Sequence, residues 1–356
     1  MISSLPPAPV VARSVRASWP GPPVRRLVVR ETGWTNLVFE ADQRWIIRIP
    51  RRRAGAESLD RELRVLEFLS DRLRAGIPRP LVVGTLDAPD GWPFMVYERL
   101  RGRPIANVRA MGRRSRERLG LFLEDLLTDL AAVPVDPLLA LGVDPGRPAD
   151  LVASFRRLRS RYRRRARSRM PPSVRSGLDR AFEDLLSTLA VSRFQPVVAH
   201  NDLWPNHIIW DESRDRATGV IDWEDTRVGD PATDLVMLSD LDPDLWDRLR
   251  DLRRRGSDRQ FDARLGLYRK VLPIHGYLYG LESGDARLAA DHLHALASRL
   301  RAPTRSRHGG RLRGGVGLPV RGSLSSTERA ARSSGPALSR RSSTRTLDST
   351  RSPNPT

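Results

Sequence analysis

The sequence predicts an α+β fold: a small antiparallel sheet with one helix, followed by a mainly helical part. Three observations predict it. β-rich runs crowd between Leu27 and Arg99. Amphipathic helical stripes dominate from about Ile105 to Leu300. Two acidic loops, each behind an apolar strand-like run, interrupt those stripes near residues 202 and 222.

Residues 1–26 are rich in Pro, Ser and Arg and are expected to be unstructured. Pro6, Pro7 and Pro9 break the short apolar piece there, which also argues against a secretory signal. Residues 27–99 are expected to form an N-terminal lobe. Leu27-Val28-Val29, Leu37-Val38-Phe39 and Trp45-Ile46-Ile47-Arg48-Ile49-Pro50 read as strands, the last stopped by Pro50. Leu59, Leu63, Leu66 and Leu69 then recur at helical steps. Leu81-Val82-Val83-Gly84 and Pro93 to Glu98 complete the sheet. Residues 100–300 are expected to form a helical C-terminal lobe, with stripes at Leu119–Leu130 and Leu178–Leu189. Residues 301–356 hold few large apolar groups and are expected to be disordered.

The 356 residues are 39% hydrophobic, enough to bury the cores of two lobes. The absence of cysteine excludes disulfides and thiolate metal sites. No run of about 18 apolar residues occurs, so no spanning helix and a soluble, cytoplasmic, monomeric protein are expected. The net charge is +20. Between 301 and 356 twelve arginines oppose only Glu328 and Asp348, so half the excess sits in the tail. Charge alone supplies only non-specific affinity for nucleic acid, which is therefore not the expected partner.

The chemistry concentrates in two loops. His200-Asn201-Asp202-Leu203-Trp204-Pro205-Asn206-His207 follows Val197-Val198-Ala199, and Ile221-Asp222-Trp223-Glu224-Asp225 follows Gly219-Val220. One carboxylate can take a proton from a hydroxyl; the other, with His207, can hold a metal. Together with Gly229-Asp230-Pro231-Ala232-Thr233-Asp234, these loops resemble those of the aminoglycoside and macrolide phosphotransferase family, whose fold is bilobal and protein-kinase-like. The resemblance covers Leu27 to Leu300. The family's catalytic loop is similar to His-Gly-Asp-x-x-Pro-x-Asn. This chain departs from it with Asn201 for Gly and His207 for the final Asn, a variant similar to that of the 2''-type aminoglycoside phosphotransferases.

The resemblance implies a role for each matched residue. Asp202 would accept the proton of the substrate hydroxyl. Asp222 and His207 would hold Mg²⁺, a hard cation that prefers carboxylate oxygen; Asn206 is the alternative to His207. His200 and Asp234 would brace the catalytic loop. In the N-terminal lobe Arg48 would grip phosphate, with Arg51, Arg52 and Arg53 as competitors, because the only lysine, Lys270, comes too late. Glu62, or alternatively Glu57, would pair with it. Thr35 and Asn36, in the turn-like Gly33-Trp34-Thr35-Asn36, would touch phosphate. The backbone around Glu98 and Leu100 would meet the purine, with the nucleotide between the lobes.

The chain is thus expected to be a kinase that moves the γ-phosphoryl group of ATP or GTP to a hydroxyl of a small molecule. The alternative is a catalytically weak, kinase-shaped binding protein, motivated by His207 and by Arg in place of Lys. Glu224, Asp225 and Asp230 offer negative charge for a substrate amine. The arginine run from Arg156 to Arg169 offers the opposite charge and reads as a solvated helix face.

Overall fold

Alternating apolar residues in short strands give each strand one face toward a core and one face free for other work. The computed structural model describes residues 6–19, 24–32, 36–51, 53–87, 91–239 and 241–301, the side chains of 31, 32 and 53–57 excepted. Residues 6–71 and 76–101 form one compact unit; residues 72–75 and 102–301 form another.

The first unit opens with helix α1 (Ala8–Ser18), where an unstructured segment was expected. The prolines cause the difference. Pro7 caps the helix and Pro9 lies in its first turn, positions that tolerate proline because their N–H groups lack partners anyway. Val11, Ala12 and Val15 then share one face, one turn apart, and join the core of the sheet. Ser14 accepts the Asp87 N–H at 2.7 Å, which ties the helix to the strand that ends just before it. The expected tail at 301–356, apart from Arg301, lies outside the described residues.

Strands β1 (Leu27–Thr32), β2 (Asn36–Ala41) and β3 (Trp45–Pro50) precede helix α2 (Arg53–Leu69), and β4 (Pro80–Thr85) and β5 (Pro93–Glu98) follow it. All pair antiparallel in the order β1-β2-β3-β5-β4. Leu37, Phe39, Ile47, Ile49 and Phe94 pack with α1 on one face. Leu59 of α2, Met95 and Tyr97 form a second cluster, with Ile46 and Leu63 against it. Arg48, two residues after Ile46, falls on that second face.

The second unit is mainly helical. It contains β6 (Arg103–Pro104), α3 (Arg113–Ala132), α4 (Val135–Ala140), α5 (Pro148–Arg165) and α6 (Pro172–Val191). Then come β7 (Val197–Ala199), β8 (Ile208–Asp211), β9 (Arg216–Val220) and β10 (Arg227–Gly229). Helices α7 (Thr233–Met237), α8 (Pro243–Arg254), α9 (Phe261–Val271), α10 (Ile274–Ser283) and α11 (Ala286–Arg301) complete it. The leucine stripes read from the sequence are buried: Leu119, Leu123, Leu126, Leu127 and Leu130 in α3, and Leu178, Leu185 and Leu189 in α6. On α5, Phe155, Leu158 and Tyr162 turn inward, which leaves the arginine run to the surface. Arg159 pairs with Glu183, Arg161 with Glu282, and Arg167 with Asp179. Two small sheets frame the acidic loops: β7 pairs with β10, and β8 lies between β6 and β9. No helix among the described residues is long and apolar enough to cross a membrane.

Candidate active site

The loop between β7 and β8 turns sharply at Asn201, whose φ is 65°. A left-handed backbone costs most residues about 1–2 kcal/mol, and Asn tolerates it better than others. That explains how Asn replaces the family's glycine here. Asn201→Gly is therefore expected to retain turnover. Asn201→Val is expected to lower both turnover and the thermal midpoint; equal behaviour of the two variants would remove this account of the turn.

His200 is fully buried with its ring 4.5 Å from that of Trp223. Its Nε2 lies 3.1 Å from the Ile221 carbonyl, and its Nδ1 accepts the Asp202 N–H at 3.3 Å. A carbonyl only accepts, so Nε2 carries the hydrogen and the ring is neutral. Burial, with help from His207, pushes its pKa down to about 3. His200 is thus a strut that joins the first acidic loop to the residue before Asp222. Asp234, in the first turn of α7, accepts the N–H groups of His200 at 3.2 Å and Asn201 at 2.7 Å. It is fully buried, and burial raises its pKa while Arg253 and the two N–H groups oppose that.

Arg253 was not singled out in the sequence. It is buried on α8, with Nη2 3.9 Å from Asp234. Its signal was legible: it lies on the same helical face as Leu245, Trp246 and Leu249.

The second loop bends at Asp222, whose φ is 71°. Trp223 fixes the bend from beneath, fully buried, donating from Nε1 to the Val220 carbonyl at 2.9 Å. A 3-10 turn over Pro205–His207 carries His207, and the Ile221 N–H donates to the His207 carbonyl at 2.9 Å. These braces bring Asp202, His207 and Asp222 together, with one ligand atom from each within 4.8 Å of the others. His207 Nε2 lies 3.5 Å from Asp222 Oδ2, and His207 Nδ1 lies 3.5 Å from Asp202 Oδ2. Nδ1 also faces the Asp202 carbonyl at 2.7 Å.

Burial raises the Asp202 pKa to about 7; the charges of Asp222 and Asp225 add to that rise and His207 opposes it. A carboxyl so tuned suits proton transfer near neutral pH. The donor set fits a divalent cation, which would neutralise two carboxylates held this close. Asn206, the alternative ligand, keeps a buried Oδ1 without a hydrogen-bond partner.

One expectation about the acidic residues near the second loop fails. Asp230 does not offer charge to a substrate: it is fully buried. Arg264 of α9, equally buried, pairs with both its oxygens, and the Tyr268 hydroxyl donates to it at 2.9 Å. Glu224 is half-buried and Asp225 exposed in the turn after Asp222.

In the first unit Arg48 Nη1 meets Glu62 Oε1 at 2.6 Å, both side chains buried. Asn36 is buried in β2 opposite Pro50. Glu98 is exposed at the end of β5 and pairs with Arg44 at 3.2 Å, and Leu100 is half-buried beyond it. Arg51 is half-buried. Thr35, Arg52 and the side chains of Arg53 and Glu57 lie outside the described residues.

The sequence profile of the phosphotransferase enzyme family matches residues 27–269. Viomycin phosphotransferase of Streptomyces vinaceus is 26% identical over 279 residues, 77% of this chain and 93% of its own length. The GDP and kanamycin complex of APH(2'')-IIIa superposes with a TM-score of 0.73 at 21% identity, covering 81% of this chain and 97% of that one. The apoenzyme of a macrolide 2'-phosphotransferase from Brachybacterium faecium gives 0.56 at 22% identity, covering 79% and 94%. The two structural likenesses show a shared kinase-like fold. The profile match runs from β1 into α9 and takes in both acidic loops, so the chain belongs to the phosphotransferase enzyme family.

Proposed function

We propose that this alcohol-group phosphotransferase uses Asp202 as base and His207 with Asp222 as metal ligands, taking ATP or GTP as donor. The observation that carries the reading is the convergence of those three side chains on two braced loops. In the reaction the acceptor hydroxyl gives its proton to the Asp202 carboxylate. Its oxygen then bonds to the γ-phosphorus as the bond to the departing nucleoside diphosphate breaks. Mg²⁺, when held by His207 and Asp222, would neutralise charge on the phosphoryl oxygens. Arg48 would grip a donor phosphate, oriented by Glu62 behind it.

The acceptor we propose is a small, hydroxylated, amine-bearing molecule. Viomycin phosphotransferase among the relatives and the kanamycin complex among the solved structures support this class. Glu224 and Asp225, beside Asp222, supply the charge that an amine needs. The test is turnover of ATP and GTP with a panel of aminoglycosides, macrolides and cyclic peptides. Transfer to at least one acceptor is expected; nucleotide binding without transfer to any would favour the catalytically weak alternative.

Arg48 makes a separate prediction. Arg48→Lys keeps the charge beside Glu62 but loses the planar fork. Nucleotide affinity is expected to fall about tenfold, the loss of one charge-assisted hydrogen bond, with the fold intact. Titration with ATP and GTP reads this directly, and unchanged affinity for both would remove Arg48 from the phosphate site.

A further inference from the structure

We infer that Glu40 is a positioning residue for the nucleotide: its buried carboxylate holds Arg99, and through Arg99 the backbone of residues 98–100. The inference rests on the nucleotide reading just proposed and adds to it a side chain that acts through another.

Strand alternation places the carboxylate. Leu37, Phe39 and Ala41 of β2 join the core shared with α1, so Glu40 falls on the opposite face. It stands opposite Ile46 of β3, and Ile46 stands opposite Tyr97 of β5. Arg48, two residues after Ile46, shares that face. An apolar side chain would fill Glu40's position at less cost, because a buried charge must be paired. Glu40 is 4% exposed. Arg30 of β1 grips both its oxygens, Nε to Oε2 at 3.1 Å and Nη2 to Oε1 at 2.8 Å. Arg99 Nε lies 3.3 Å from Oε2. Arg30 alone neutralises the carboxylate, so the second guanidinium is not required for its burial. What the second contact adds is a fixed place for Arg99.

That place matters because Arg99 lies just beyond the end of β5, where a chain leaving a sheet is otherwise mobile. Three ties hold it to the β2–β3 hairpin. The Arg99 side chain meets Glu40, the Arg99 N–H donates to the Arg44 carbonyl at 2.7 Å, and Arg44 pairs with Glu98 at 3.2 Å. The next N–H, that of Leu100, makes no hydrogen bond among the described residues and can donate to a purine ring nitrogen. A hydrogen bond weakens steeply when its donor is misaligned. A segment already held in place also loses less entropy when it binds. Both effects act on purine affinity and neither acts on the transferred phosphoryl group.

The test is a double-mutant cycle on the full chain, titrated with ADP and with GDP. Glu40→Gln and Arg99→Gln are each expected to weaken both nucleotides about tenfold, the scale of one hydrogen bond. The double variant is expected to bind no worse than either single one, because both substitutions break the same tie. Hydrogen exchange at the Arg99 amide, bonded to Arg44, should quicken in the nucleotide-free variants. The Arg99 side chain is partly exposed, so Arg99→Gln carries the test even where Glu40→Gln does not fold. Unchanged affinity in Arg99→Gln would overturn the inference, as would losses that multiply to about a hundredfold in the double variant. Either result would leave the nucleotide reading in place. Failure of that reading looks different: the wild type would then bind neither ADP nor GDP.

Discussion

Replacing Asp202 with Asn is expected to cut turnover by roughly 10²–10⁴-fold, the usual contribution of a positioned general base. Mg-nucleotide is expected to bind as before, because His207, Asp222 and Arg48 remain. The same substitution is expected to raise the thermal midpoint of the ligand-free protein at pH 8. The sign follows from linkage. The folded-state pKa of Asp202 is raised to about 7, above an unfolded value near the ordinary 3.9. Between those values the folded state holds the proton more tightly, so stability falls as pH rises through that window and the loss is complete above pH 7. Asparagine carries no charge and escapes this loss. The midpoint difference between variant and wild type should therefore shrink toward pH 4. Turnover falling while stability rises would separate a chemical role from damage to the fold. A variant that turns over normally, or one that loses stability at pH 8, would contradict the role given to Asp202.

The second large effect lies away from the chemistry. Arg264 and Asp230 are both fully buried, and Tyr268, Ser192 and Asp258 complete their hydrogen bonds. Arg264→Leu strands the Asp230 carboxylate in a low-dielectric interior. A broken buried ion pair costs about 3–5 kcal/mol. For a unit of this size the midpoint should fall by roughly 10 °C. The double variant Arg264→Leu with Asp230→Asn should recover part of that loss, since no unpaired charge remains. Chemical denaturation measures both. Additive losses in the double variant would mean that the two side chains contribute independently.

Legibility in the sequence followed the range of the interactions involved. The two acidic loops were legible because the residues proposed for the chemistry lie within a few positions of strands that announce themselves. Arg48 was read from its place on the third strand, as the family resemblance implies; two residues from Ile46, it falls on the face covered by α2. Glu62 was read, with Glu57 as the alternative, from the resemblance, and the structure pairs Glu62 with Arg48. Helix α1 was missed because prolines were read as breakers, whereas at a helix start they are compatible with the first turn. Asp230 was misread because its partner, Arg264, lies 34 residues away on another helix. A carboxylate beside a metal loop looks available until that guanidinium is placed. The contact of His207 Nδ1 with the Asp202 carbonyl was not legible at all, since it depends on how the loop folds back.

The central claim is that Asp202, His207 and Asp222 serve one phosphoryl-transfer centre. Crystals grown with Mn²⁺ and ADP or GDP test it most directly, because Mn²⁺ can be located by its anomalous scattering. The expected result is a peak at about 2.0–2.4 Å from an Asp222 carboxylate oxygen and from His207 Nε2, with nucleotide phosphate on the same ion. A nucleotide-bound Mn²⁺ coordinated by other residues, with Asp202 remote from the phosphates, would contradict the account.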